Sequence, residues 1–141
     1  MLRRLLVAVG VLGILGIPAL ALSLPTPVFY TPCVWTTIYT DTDYLAFSGD
    51  FVSYRGTFYG GVTYRVEVAV PGGADFDVYV YRVVTDIYGN TTYIQVASGT
   101  LPGSANEMVY FTPSSTGTYV IKVVSYSGSG WYTLRVSRCS G

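Results

Sequence analysis

The stretch Gly117-Thr118-Tyr119-Val120-Ile121-Lys122-Val123-Val124-Ser125-Tyr126-Ser127-Gly128-Ser129-Gly130-Trp131-Tyr132-Thr133-Leu134-Arg135-Val136-Ser137 decides the fold. In Thr118 to Tyr126, Tyr119, Ile121 and Val123 alternate with Val120, Lys122 and Val124; in Trp131 to Ser137, Tyr132, Leu134 and Val136 alternate with Trp131, Thr133 and Arg135. A period of two puts successive side chains on opposite faces of a sheet, so both are strands. Ser127-Gly128-Ser129-Gly130 between them reads as a tight, hairpin-like connection.

The same alternation runs through most of the chain. Val62 to Val70 places Val62, Tyr64, Val66, Val68 and Val70 on one face, with Thr63, Arg65 and Glu67 on the other. Pro71-Gly72-Gly73 breaks it, and Asp77 to Val84 resumes with β-branched and aromatic residues on both faces, as a central strand does. Gly89-Asn90 turns into Thr91 to Ala97; after a loop over Ser98 to Asn106 come Glu107 to Thr112 and the breaker Pro113-Ser114-Ser115-Thr116-Gly117. Val34 to Tyr39, Tyr44 to Phe47 and Phe51 to Phe58 complete the set. The expectation is an all-β, antiparallel, jelly-roll-like sandwich of about eight strands, with neither helical periodicity nor internal repeat.

Residues 1–21 read as a secretory signal peptide: Arg3 and Arg4 form the basic region, Leu5 to Pro18 the apolar region, and Ala19-Leu20-Ala21 the cleavage site, leaving Leu22 first. Gly10, Gly13, Gly16 and Pro18 interrupt an apolar run that barely reaches the roughly 20 residues of a spanning helix, so cleavage is favoured over a retained anchor and no permanent membrane insertion is expected. Residues 22–33 read as an extended arm, because Pro25, Pro27 and Pro32 exclude a central strand, and residues 34–141 as a single domain. Cys33 and Cys139 form an even pair in an exported chain and are expected to be joined.

Without residues 1–21 the chain carries six basic and eight acidic residues, and Lys122 is its single lysine. Nucleic acid is excluded as a partner, since binding it needs clustered cations. With charged residues at 11% and 14 tyrosines, much of the surface must be Tyr, Thr, Ser and Gly, which suits extracellular carbohydrate, protein, or copies of the chain itself.

From about Phe47 onward the sequence resembles the bacterial and archaeal pre-peptidase C-terminal domain. Asp75-Phe76-Asp77-Val78-Tyr79-Val80-Tyr81 is similar to that family's Asp-x-Asp-Leu-Tyr-Val strand, and Thr116 to Val123 with Tyr126 to Val136 is similar to its Gly-Thr-Tyr hairpin. The resemblance implies an exported sandwich used for binding, adhesion or stabilisation outside the cell. Here the module follows the leader through a short arm instead of a protease domain, so it is read as stand-alone.

The chain has no His, which removes Ser-His-Asp, Cys-His and His-ligated metal chemistry together. The eight carboxylates Asp41, Asp43, Asp50, Glu67, Asp75, Asp77, Asp86 and Glu107 show no spacing that marks an acid–base pair, so no enzyme is expected. Asp75 and Asp77, two apart on a strand, point the same way and suggest a calcium site completed by Asp41, Asp43 or loop carbonyls; calcium is the sole cofactor suggested. The favoured reading is that Asp75 caps the Pro71–Ala74 turn while Asp77 bonds a neighbouring loop, because two carboxylates alone are a poor calcium signature.

Trp35, Trp131 and the tyrosines offer either sugar-stacking faces or core; Tyr54, Tyr59, Tyr88, Tyr93 and Tyr126, beside turns, are the expected exposed ligand contacts. Asn90-Thr91-Thr92 fits an N-glycosylation acceptor at a hairpin tip. The leading functional reading is a secreted or cell-surface binding module. The other is a structural subunit of an extracellular filament or surface layer, whose arm, Leu22 to Pro32, adds a strand to a neighbour's open edge.

Overall fold

A computed structural model describes residues 21–27 and 31–141; the leader reading over residues 1–20 and the arm residues Val28, Phe29 and Tyr30 lie outside the described residues. Among the described residues eight strands follow in order: β1 (Val34–Leu45), β2 (Phe51–Phe58), β3 (Tyr64–Ala69), β4 (Asp75–Thr85), β5 (Thr91–Gly99), β6 (Glu107–Phe111), β7 (Gly117–Ser127) and β8 (Gly130–Ser140). They form two four-stranded antiparallel sheets, ordered β1-β8-β3-β6 and β2-β7-β4-β5. The chain changes sheet at every connection except β4 to β5, which gives a sandwich of jelly-roll order.

Alternation explains the layers. Val66, Val68, Leu134 and Val136 of the first sheet, and Phe76, Val78, Ile121 and Val123 of the second, are all at most 2% exposed and face one another across the sandwich. At one end of this core Phe58 meets Tyr64 edge-on at 4.8 Å, Phe111 at 5.3 Å and Tyr119 at 5.9 Å. These pairs combine large apolar area with favourable quadrupole geometry.

Two sequence expectations are corrected. Val34 to Tyr39 and Tyr44 to Phe47 are not separate strands. The ladder to β8 carries on through Thr40–Asp43, with one irregularity between Thr37 and Tyr39, and Phe47 falls in the following turn. Thr40-Asp41-Thr42-Asp43 imitates a turn but tolerates an edge position, because β1 pairs on one side only.

Ser127-Gly128-Ser129-Gly130 is not a hairpin either, since β7 and β8 belong to different sheets. It is a corner over the β3–β4 turn: Gly128, at φ +78°, lies so close that a Cβ would sit 2.9 Å from the Ala74 Cα and the Gly73 carbonyl oxygen. The Ser125 hydroxyl donates to the Gly128 carbonyl at 2.7 Å and holds the corner. The expected disulfide is present; Cys33 and Cys139 are joined with Cα atoms 5.1 Å apart, tying the start of β1 to the end of β8.

Candidate functional site

β4 and β5 outrun the sandwich. β4 pairs with β7 only as far as Arg82↔Tyr119, whereas its ladder with β5 continues to Thr85↔Thr91. The excess is a two-stranded ribbon, a form with little stability of its own in water. Its tip, Asp86-Ile87-Tyr88-Gly89-Asn90, supplies the missing order locally. The Asp86 Oδ1 accepts from the backbone N–H of Tyr88 at 2.9 Å and of Asn90 at 2.8 Å, and its Oδ2 accepts from the Asn90 side-chain amide at 2.9 Å. The Gly89 N–H donates to the Asp86 carbonyl at 3.0 Å, and the Asp86 N–H to that of Asn90 at 2.9 Å. Gly89 takes φ +85°, a conformation that costs a residue without Cβ nothing.

These bonds, the Asn90 side chain first among them, hold the Asp86 carboxyl below the usual carboxylate range. The result is a fixed turn that presents Ile87, 92% exposed, and Tyr88, 83% exposed. Tyr93, Ile94 and Val96 extend the apolar surface along β5.

Of the five tyrosines expected at the surface, Tyr59, Tyr88, Tyr93 and Tyr126 are exposed. Tyr54 is not a surface contact: it is half-buried against the core, and its hydroxyl bonds that of Tyr132 at 2.6 Å. Burial pushes Tyr132 up to about 12 and Tyr54 upward as well, so both stay neutral. The exposed four do not share one platform. Tyr88 and Tyr93 belong to the ribbon, whereas the Tyr126 carbonyl accepts from Ser48 near the opposite end of the sandwich. Trp35 offers no open sugar-stacking face on one side, because the Arg65 guanidinium lies 4.6 Å over its ring. Asn90 stands at the hairpin tip, as the glycosylation motif expects. Ile87 was missed in the sequence; two large apolar residues inside an Asp-x-x-Gly-Asn turn were the available signal.

A second feature lies where the sheets part. Between the free edges of β1 and β2 runs a groove of about 430 Å³, lined by Ile38, Tyr39, Ser53–Phe58, Ile121 and Val136. Ile121 and Val136 belong to the central strands β7 and β8, so the groove reaches the core. Gly56, between Tyr54 and Phe58 on the inward face of β2, leaves a recess whose nearest neighbour to an added Cβ is Phe58 Cε2 at 3.6 Å.

Asp75 and Asp77 come together, but not as a turn cap. The Pro71–Ala74 turn is closed by its own backbone, Ala74 N–H to Pro71 carbonyl at 3.3 Å, while a buried Oδ1 of Asp75 has no hydrogen-bond partner among the described residues. Nor does Asp77 bond a loop; Tyr79, two residues along its own strand, reaches its Oδ2 at 3.5 Å. The carboxylate near enough to feel both is Glu107 of β6, whereas Asp41 and Asp43 act on Tyr132. Among the described residues no three such ligands gather as a metal would need.

Burial, then the Asp75 charge, raises the Asp77 carboxyl above its ordinary 3.8. The folded chain therefore holds this proton more tightly than the unfolded one. Its contribution favours folding most below that ordinary value and fades as pH climbs through the raised one. Asp77→Asn should accordingly raise the melting temperature at pH 7 and leave it unchanged at pH 3. A lowered melting temperature at pH 7, matched in the parent protein by chelator, would instead mark a calcium ion held by Asp75 and Asp77.

No family model matches the chain. Among solved structures, the periplasmic inhibitor of g-type lysozyme PliG from Aeromonas hydrophila is similar in fold, with a TM-score of 0.52 at 14% identity, over 79% of this chain and 92% of that one.

Proposed function

We propose that this chain is an exported, non-catalytic module that binds another protein through the β4–β5 hairpin tip. The observation that carries the reading is the pair Ile87 and Tyr88, held almost fully in solvent by a turn that Asp86 has already ordered. Large apolar side chains on a pre-organised turn bind without losing much conformational freedom, and such anchors dominate interface energies. An apolar cleft on a folded protein suits them better than a sugar, because Ile87 has no ring to stack and the exposed tyrosines are dispersed. Export is supported by the joined cysteines, which persist in oxidising compartments. The similar fold of PliG, itself a periplasmic inhibitor of a lysozyme, is compatible with a sandwich that acts on a protein without catalysis.

A photo-reactive phenylalanine at position 88, in the exported protein, should give one discrete covalent adduct with a partner protein. The same group at Ser48, near the opposite end, should give none. Ile87→Ala and Tyr88→Ala should each weaken the isolated pair by at least about 2 kcal/mol, on the order of thirty-fold. An adduct at Ser48 alone, or affinity unchanged by both substitutions, would overturn the assignment.

A further inference from the structure

The groove between β1 and β2 goes beyond the hairpin tip and is independent of it. Among the described residues each of these strands pairs on one side only, β1 with β8 and β2 with β7, which leaves two facing backbone edges. An unpaired edge is a template for another strand. The floor is apolar, since Ile121 and Val136 are core residues, and Gly56 leaves out the one inward side chain that would have filled the middle. Ile38, at the irregularity of β1, is 48% exposed, and Tyr39 beside it 47%. The site thus fits a short, extended, apolar segment.

The arm that precedes β1 carries such a segment. Val28-Phe29-Tyr30 lies between Pro27 and Pro32 and is uncharged and apolar. Its length suits a groove flanked by Ser53–Phe58, and prolines at either end are tolerated where an added strand stops.

We infer that the β1–β2 groove binds residues Val28–Tyr30 of a second copy of this chain as an added strand. The donor is a second copy because of how the arm leaves the body. Cys33 is bonded to Cys139, and the Pro32 carbonyl and the Thr31 methyl lie beside Gly141, the residue after β8, so Thr31 and Pro32 continue in line with β1. Entering its own groove would need a reversal within Thr31-Pro32-Cys33. Pro32 and Cys33 are already placed beside the end of β8, with no reversal there. Three residues, 28–30, span at most about 11 Å, less than the roughly 20 Å of strand from Thr31 to Ile38, so within one copy they fall short of the groove. Donation from one copy into the next uses two different surfaces, so the contact propagates head to tail into open chains unless its rotation closes a ring.

The test compares four forms of the chain beginning at Leu22, by light scattering over a range of concentrations. The parent should grow in mass with concentration. Phe29→Asp, which lies outside the sandwich, and Gly56→Leu, which fills the recess from the receiving side, should both remain single chains with melting temperatures typical of a folded body. Ile87→Ala/Tyr88→Ala should assemble like the parent, which separates this contact from the hairpin-tip reading. A parent chain that stays monomeric at every concentration overturns the inference. So does assembly that survives both Phe29→Asp and Gly56→Leu. Should Gly56→Leu fail to fold, Phe29→Asp together with binding of a 22–32 peptide to the body Pro32–Gly141 decides the same question.

Discussion

Replacing Cys139 by Ser should lower the stability of the sandwich by about 4 to 5 kcal/mol, the chain-entropy value for cutting a loop of this size. The bond spans 106 residues and so constrains the unfolded chain across both sheets. It matters in the native state too, because among the described strands β1 pairs only with β8 and the bond sits at the open end of that ladder. At roughly 4 to 8 °C per kcal/mol for a domain of about a hundred residues, the melting temperature should fall by roughly 20 °C or more. Calorimetry of the parent with reductant should give the same loss as Cys33→Ser/Cys139→Ser. A parent indifferent to reductant at its melting temperature would show that the β1–β8 ladder needs no covalent tie.

Truncating Phe58 should be nearly as damaging, for a different reason. Its ring is 7% exposed and touches Tyr64, Phe111 and Tyr119, so it joins two strands of each sheet at one end of the core. Phe58→Ala removes the buried area and leaves a cavity among rings that cannot collapse into it, a loss of about 3 to 5 kcal/mol. Phe47→Ala is the control; that ring is 64% exposed in a turn, and its loss should stay within about 0.5 kcal/mol. Denaturant unfolding of both variants with unchanged slopes would check the contrast, and equal midpoints would refute the placement of Phe58 in the core. Because Phe58 also lines the β1–β2 groove, its truncation should weaken assembly at concentrations where the variant is still folded.

The two candidate sites were legible to different degrees. Asp86-Ile87-Tyr88-Gly89-Asn90 reads as a turn because Asp accepts local backbone bonds and Gly takes positive φ. Tyr88 and Asn90 were therefore expected at the surface. That the turn stands clear of the body was hidden, since it depends on β7 ending its pairing with β4 at Tyr119 while β5 continues. The groove gave no local signal beyond Gly56, a glycine at an inward strand position. Tyr54 was misplaced for a similar reason: its hydroxyl partner, Tyr132, is 78 residues away in sequence and in the other sheet.

What the sequence determined by itself was each strand's two faces. Side-chain period is a local property, so Tyr119, Ile121 and Val123, or Tyr132, Leu134 and Val136, could be placed on one face from their own segment, and the structure puts that face in the core. The pairing of Cys33 with Cys139 also followed, because two cysteines in a chain read as exported leave one partner each. Only the tertiary structure decided which sheet each strand joins. Ser127-Gly128-Ser129-Gly130 has the composition of a hairpin and is a corner between sheets, because β8 gains two flanking partners, β1 and β3, by crossing, and the Gly128 backbone fits against Gly73 and Ala74 as no side chain would allow. From that choice follow the free edges of β1 and β2 and the groove between them. Edge and centre are relations among strands far apart in the chain, and no run of residues encodes them alone.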